Sequence, residues 1–223
     1  MLLLALDTAT PAVTVALHDG SAVIAESSEV DARRHGELLL PAVHRTLKEA
    51  GTELGAVTEI VVGAGPGPYT GLRVGLVTAA TFGAALGVPV HGLCTLDGIA
   101  YAAGGRAGLE GPFVVATDAR RKEVYWARYD DARTRATEPA VDHPADLAER
   151  IAGLPAIGAG ALLYPAAFAD VPPGMPEHQS AGALASLAAE KLARGEELPL
   201  PRPLYLRRPD AKVPANYKVV TPK

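Results

Sequence analysis

The 223-residue sequence predicts a duplicated α/β fold: two βββαβα lobes, each built on a mixed sheet. Three observations carry this expectation. Each half opens with an apolar run that ends in an acid, LLLALD over 2–7 and FVVATD over 113–118. The registers agree, because Asp7 to Asp19 spans twelve residues and so does Asp118 to Asp130. A Gly-rich stretch, GGRAGLEGP over 104–112, separates the two copies as a linker.

The elements follow in order. After LLLALD come AVTVALH (12–18) and AVIAESSEV (22–30), with Asp19-Gly20 between them as a tight hairpin signal. A helix pattern runs through ELLLPAVHRTLKEAG and ends at Gly51, with Pro41 expected to kink it or mark its first turn. Next come the strand EIVVG, the Gly-rich loop GAGPGPYTGLRVG (63–75) and a helix over about 70–86. GVP at 87–89 stops that helix and starts another strand. In the second half KEVYWARYD (122–130) alternates like a half-buried strand, and a weaker polar stretch covers 132–138. A helix over about 144–152, the short strand PAIGAG and a helix through SAGALASLAAEKLARG complete the copy. Two such units facing each other make the actin/sugar-kinase/Hsp70 (ASKHA) architecture, an RNase H-like duplication. The lobes are expected at 1–103 and 113–223, the second smaller and carrying an extended basic tail.

Composition narrows the function classes. The chain is 48% hydrophobic and 21% charged, which suits a globular protein. A lone cysteine, Cys94, excludes an internal disulfide framework and suits a reducing, cytoplasmic compartment. The start MLLLALDTAT has no basic leading region, and Asp7 breaks its apolar run, so no signal peptide is expected. Val74–Gly92 lacks Asp, Glu, Lys and Arg, but its glycines and Pro89 read as a buried helix plus strand and not as a membrane span. Net charge is −4; Arg202–Lys223 sums to +5, leaving −9 for the remainder. Such an acidic body holds a polyanion poorly. The basic tail either helps a larger assembly bind RNA or is simply a solvated terminus.

In the ASKHA class, acids closing the first strand of each half approach a nucleotide's metal and phosphates. Asp7, Thr8, Gly65, Gly67 and Asp118 are therefore a candidate vestigial nucleotide site. The turns DTATPAVT and DARRKEVY lack the glycines that let backbone amides crowd a phosphate, and Pro11 removes a donor. The Gly-rich loop matches neither G-x-x-x-x-G-K-[ST] nor G-x-G-x-x-G. Instead Gly71, Gly75, Ala79, Gly83 and Gly87 recur every four residues and share a helix face. Each glycine there costs about 1 kcal/mol relative to alanine, so close backbone contact should compensate. That contact is either the chain's own sheet or a helix from another chain. The expected partner surface comprises Gly71, Gly75 and Ala79 with Leu39, Val43 and Leu47 on the preceding helix. Cys94 reads as a small core residue. No two of the six histidines pair at i+3 or i+4, so no metal site is expected.

LALDTAT (4–10), RRHGELLLPAV (33–43), GAGPGPYTGLRVG (63–75), GVPVHGLCTLDGIA (87–100), TDARRKEVYWARYD (117–130) and PLYLRR (203–208) together resemble the TsaB family. That family is the partner subunit of the bacterial machinery making threonylcarbamoyladenosine in tRNA, and the motifs run through essentially the whole chain. The resemblance implies a non-catalytic relative of the catalytic subunit TsaD, in which two metal-binding histidines stand four apart on a helix. Here Thr95 and Ile99 take those places, and neither ligates a metal in that role. It further implies dimerisation with a TsaD-like subunit through the N-terminal helices, a homodimer through similar surfaces, and recruitment of a TsaE-like ATPase. tRNA would be met only through the complex, no cofactor would be held alone (a nucleotide only with the partner), and no membrane is involved. The alternative left open is a stand-alone ATP-dependent small-molecule kinase of the same fold. A metallopeptidase is nearly excluded by the missing ligands.

Overall fold

The computed structural model describes residues 1–105, 109–168 and 170–207. Leu3–Asp7 (β1) is buried along its whole length, as a near-continuous apolar run requires of a central strand. It pairs antiparallel with Ala12–His18 (β2) and parallel with Glu59–Gly63 (β4). Val23–Val30 (β3) and Val90–Leu93 (β5) complete a mixed sheet of order β3-β2-β1-β4-β5. β3 alternates between exposed and covered positions because it forms an edge with one wet face.

One face of this sheet (Leu4, Leu6, Val13, Val15) is covered by His35–Glu49 (α1) and Tyr69–Leu86 (α2). The other face (Leu3, Ala5, Ala16, Val61) is covered by Ala181–Ala193 (α6), which comes from the far end of the chain. α6 starts where the Ser180 hydroxyl accepts from Ala183 N at 3.0 Å, an N-cap that satisfies a free helix amide.

The second sheet is built from Phe113–Asp118 (β6), Val124–Asp131 (β7), Thr134–Arg135 (β8), Ala140–Asp142 (β9) and Ala156–Ile157 (β10). Its order is β10-β6-β7-β8, with β9 also on β7. Thr95–Gly104 (α3) packs on one face with Phe113, Val115 and Tyr129. Residues around Pro144–Leu147 (α4) and Ala159–Leu163 (α5) cover the other, over Val114, Ala116 and Trp126.

The structure departs from expectation in several places. A division at 104–112 separates sheet from sheet but not core from core: α6 seats on the first sheet, α3 contacts the second, and the two helices pack together. α4 is a single turn, shorter than the helix expected over 144–152. Pro41 lies inside α1, six residues after the helix begins, and not at its first turn. α3 was implied only by the resemblance, and α5 was not anticipated as a helix. Residues 208–223 of the basic tail lie outside the described residues. Among the described residues, no helix is long and apolar enough to cross a membrane.

Candidate functional site

The end of β1 shows what the glycine loop is for. Asp7 is fully buried. Its Oδ1 accepts from Ala9 N at 2.8 Å, and its Oδ2 accepts from the Thr95 hydroxyl at 2.9 Å. That hydroxyl in turn accepts from Gly65 N at 3.2 Å. A Cβ on Gly63 would fall 1.9 Å from Asp7 Oδ2, so only glycine leaves room for the carboxylate. Burial pushes the Asp7 pKa from 3.8 up to about 6, against the opposing pull of bonds from Ala9, Thr95 and Thr8. Both oxygens are thus already bonded, with the Gly-rich loop lying over them.

Thr8, the next residue, inserts its hydroxyl into α2. It donates to Gly71 O at 2.7 Å and accepts from Gly75 N at 2.9 Å, two groups that stand one turn apart on the helix. A Cβ on Gly75 would lie 2.6 Å from Thr8 Oγ1, and one on Gly67 would lie 2.1 Å from Ala9 O. The glycines therefore admit the DTAT turn of the same chain. This corrects the expected partner surface: Gly71, Gly75 and Ala79 face the chain's own sheet, and Leu39, Val43 and Leu47 lie in the same core. Both stripes turn inward because the face of β1 and β4 they meet is apolar, with Leu4, Leu6, Ile60 and Val62. The outer sides of α1 and α2 carry other residues, with Leu40 56% and Val77 62% exposed.

A cleft of about 230 Å³ opens between the two halves above this plug. Thr8, Thr10 and His35 line it from one side, Tyr69 from the start of α2, and Asp118 with Arg120 from the second half. His35 Nε2 is 2.8 Å from Thr10 O. Asp118 Oδ1 accepts from Arg120 N at 2.8 Å, and the two side chains form an ion pair at 3.4 Å. Arg120, Arg121 and Lys122 take left-handed φ values of 64°, 53° and 64° at a tight hairpin tip. Of the five residues expected to share a nucleotide site, Thr8 and Asp118 line the cleft, whereas Asp7, Gly65 and Gly67 are buried beneath it.

Sequence reasoning missed Thr95 as the partner of Asp7. It also missed Gln179, buried beside the turn, which donates to Ala12 O at 2.8 Å and accepts from the Thr10 hydroxyl. The available signal was a run of small polar residues in an apolar setting. Their partners lie 88 and 169 residues away, beyond any local pattern.

The places of the TsaD-type histidines do not fit a metal. The Thr95 hydroxyl is committed to Asp7 and Gly65, and Ile99 is sealed in the core between α3 and the second sheet. Among the described residues, no three His, Cys, Asp or Glu side chains come together as ligands. Cys94 is buried, and burial pushes its thiol far up, away from nucleophilic reactivity.

The architecture is that of the duplicated actin-like proteins, with the first strand's acid plugged. It is shared, as fold alone, with the activator of the 2-hydroxyisocaproyl-CoA dehydratase from Clostridium difficile (8% identity, TM-score 0.52, covering 88% of this chain and 98% of that one). The profile described as "TsaD: tRNA N6-adenosine threonylcarbamoyltransferase" matches residues 23–169. YeaZ from Pseudomonas aeruginosa superposes with a TM-score of 0.78 at 34% identity, covering 92% of this chain and 99% of that one. A Mycobacterium tuberculosis (strain H37Rv) protein is 47% identical over 214 residues, 94% of this chain and 93% of its own. The Escherichia coli tRNA threonylcarbamoyladenosine biosynthesis protein TsaB is 38% identical over 129 residues, 58% of this chain and 55% of that one. The chain belongs to the TsaD-related family of that profile, among its TsaB members.

Proposed function

We propose that this chain is the non-catalytic partner subunit of a tRNA threonylcarbamoyladenosine-forming complex. It acts in the cytoplasm, pairing with a TsaD-like catalytic subunit and helping to engage a TsaE-like ATPase. The observation that carries the reading is the plugged acid. Asp7 ends the strand that, in a working nucleotide site of this fold, would face a metal and phosphates. Here its oxygens are bonded to Ala9 and Thr95, and the glycine loop lies over it. A fully buried carboxylate covered in this way reaches neither a metal nor a substrate unless the loop moves off it.

In this reading the partner meets the outer side of α1 and α2, where Leu40 and Val77 are exposed, and a second copy of the chain uses the same side when the partner is absent. The chain holds no metal or nucleotide of its own. The test is reconstitution. Co-expressed with the TsaD-like subunit of its source, the chain should co-purify with it and be required for threonylcarbamoyladenosine formation on tRNA. Val77→Arg should abolish co-purification while leaving the thermal melt unchanged. The chain alone should carry no stoichiometric zinc or iron by elemental analysis and turn over ATP only at background rates. An ATP turnover that Asp7→Ala removes without unfolding the protein would replace this reading with the kinase one.

A further inference from the structure

Exposed rings and cations coincide at the mouth of the cleft. Tyr69 is 55% exposed and Tyr205 42%, with ring centroids 5.2 Å apart at an interplanar angle of 31°. The Arg73 guanidinium stands 4.4 Å from the Tyr69 ring centre and donates to the Tyr205 hydroxyl at 3.1 Å. Arg33 and Arg120 line the same cleft as Tyr69. Arg207, two residues beyond Tyr205, donates to Ala119 O at 3.0 Å and so ties this segment to the Arg120–Lys122 hairpin. Among the described residues, no carboxylate pairs with Arg33 or Arg73. This concentration of positive charge runs against the chain as a whole, whose first 201 residues sum to −9.

We infer that this surface binds single-stranded RNA, with an unpaired base stacking on the Tyr69–Tyr205 pair and its phosphates running along Arg33 and Arg73. The inference rests on the tRNA-complex reading above and adds the surface this chain contributes. The chemistry is that of a stacking platform beside a cationic track. Exposed rings offer a face to any base, and the Arg33 and Arg73 guanidiniums, which have no carboxylate partner among the described residues, can neutralise phosphates. A base-paired duplex cannot use the platform, because its bases are already stacked.

The test uses the full chain, alone and together with its TsaD-like subunit. The probes are a fluorescein-labelled RNA hairpin with an open loop and the same stem closed into a fully paired duplex. Fluorescence anisotropy should show tighter binding to the open loop. The double variant Tyr69→Ala/Tyr205→Ala should weaken loop binding roughly five- to hundredfold and leave duplex binding unchanged. Tyr69→Phe/Tyr205→Phe keeps the rings and should retain the affinity, with thermal melts confirming that each variant is folded. Arg73→Gln should lower the slope of log affinity against log salt by about 0.7. The inference is overturned if the alanine variant binds like wild type, if loop and duplex bind alike, or if neither the chain nor the complex binds the hairpin. It is also overturned if the alanine variant loses the TsaD-like subunit with RNA affinity intact, since the surface is then a protein contact and the complex reading stands. Conversely, ring-dependent RNA binding by a chain that never associates with a TsaD-like subunit would sink the complex reading and leave this inference in place.

Discussion

Gly75→Ala tests the plug most directly. The new Cβ would sit 3.6 Å from Val62 Cγ2, an ordinary contact, but only 2.6 Å from Thr8 Oγ1. The hydroxyl must then move and give up its bonds to Gly71 O and Gly75 N. Thr8 is 1% exposed, so water cannot take over, and a buried polar group left without a partner costs about 1–3 kcal/mol. Two such groups are affected, while the gain in helix propensity returns about 1 kcal/mol. The expected net loss is about 1–5 kcal/mol, and each kcal/mol lowers Tm by about 2–4 °C in a chain of this size. Urea and thermal unfolding followed by circular dichroism measure it. Thr8→Ala alone removes the hydroxyl and lets Gly75 N bond Gly71 O within the helix. The double variant should therefore lose less than the two singles together, with a coupling of about 1 kcal/mol or more. The larger Gly75→Leu should unfold the chain, not merely weaken an association. A Gly75→Ala protein that melts at or above wild type, or effects that add to within about 0.5 kcal/mol, would refute the inserted-hydroxyl account.

Three further expectations follow from other groups. Asp7 has a folded-state pKa of about 6 against an ordinary 3.8, so the folded chain binds this proton more tightly than the unfolded one. Stability from Asp7 is therefore full below about pH 4 and lost as pH rises through 6, by about 2–3 kcal/mol. Asp7→Asn should flatten the urea midpoint across that window, and parallel pH profiles for the two proteins would count against the assignment. Asp97 accepts from the Tyr129 hydroxyl at 2.7 Å and from Arg135 at 2.8 and 2.9 Å. Asp97→Ala strands both partners in a largely buried setting and should cost about 2–3 kcal/mol by denaturant melt; an unchanged midpoint would show the pair to be idle. Cys94, held protonated by burial, should resist iodoacetamide in the native chain and react on unfolding. Rapid native labelling would contradict that burial.

Much of the architecture was legible because it is local. An apolar run that closes on an acid marks β1 and β6. The β1–β2 and β6–β7 pairings follow the chain's own turns. The shared twelve-residue interval made the duplication visible without any partner being known. The same locality explains what was not legible. A glycine strip shows which residues share a helix face but carries no side chain to say what that face meets. The apolar stripe of α1 is likewise compatible with a sheet or with another helix.

Only the folded chain decides these points. β1, β2 and β4 lie side by side and present their apolar face to α1 and α2, so the strip turns inward and Thr8 enters the helix where Gly75 leaves space. α6 crosses to the first sheet because that sheet's second face would otherwise be bare, and no interval along the chain encodes such a choice. The fate of Asp7 is decided in the same way. By itself the sequence determined that an acid ends β1. Whether that acid meets a ligand or a hydroxyl depends on Thr95, 88 residues away, brought near only when β4, β5 and α3 are in place.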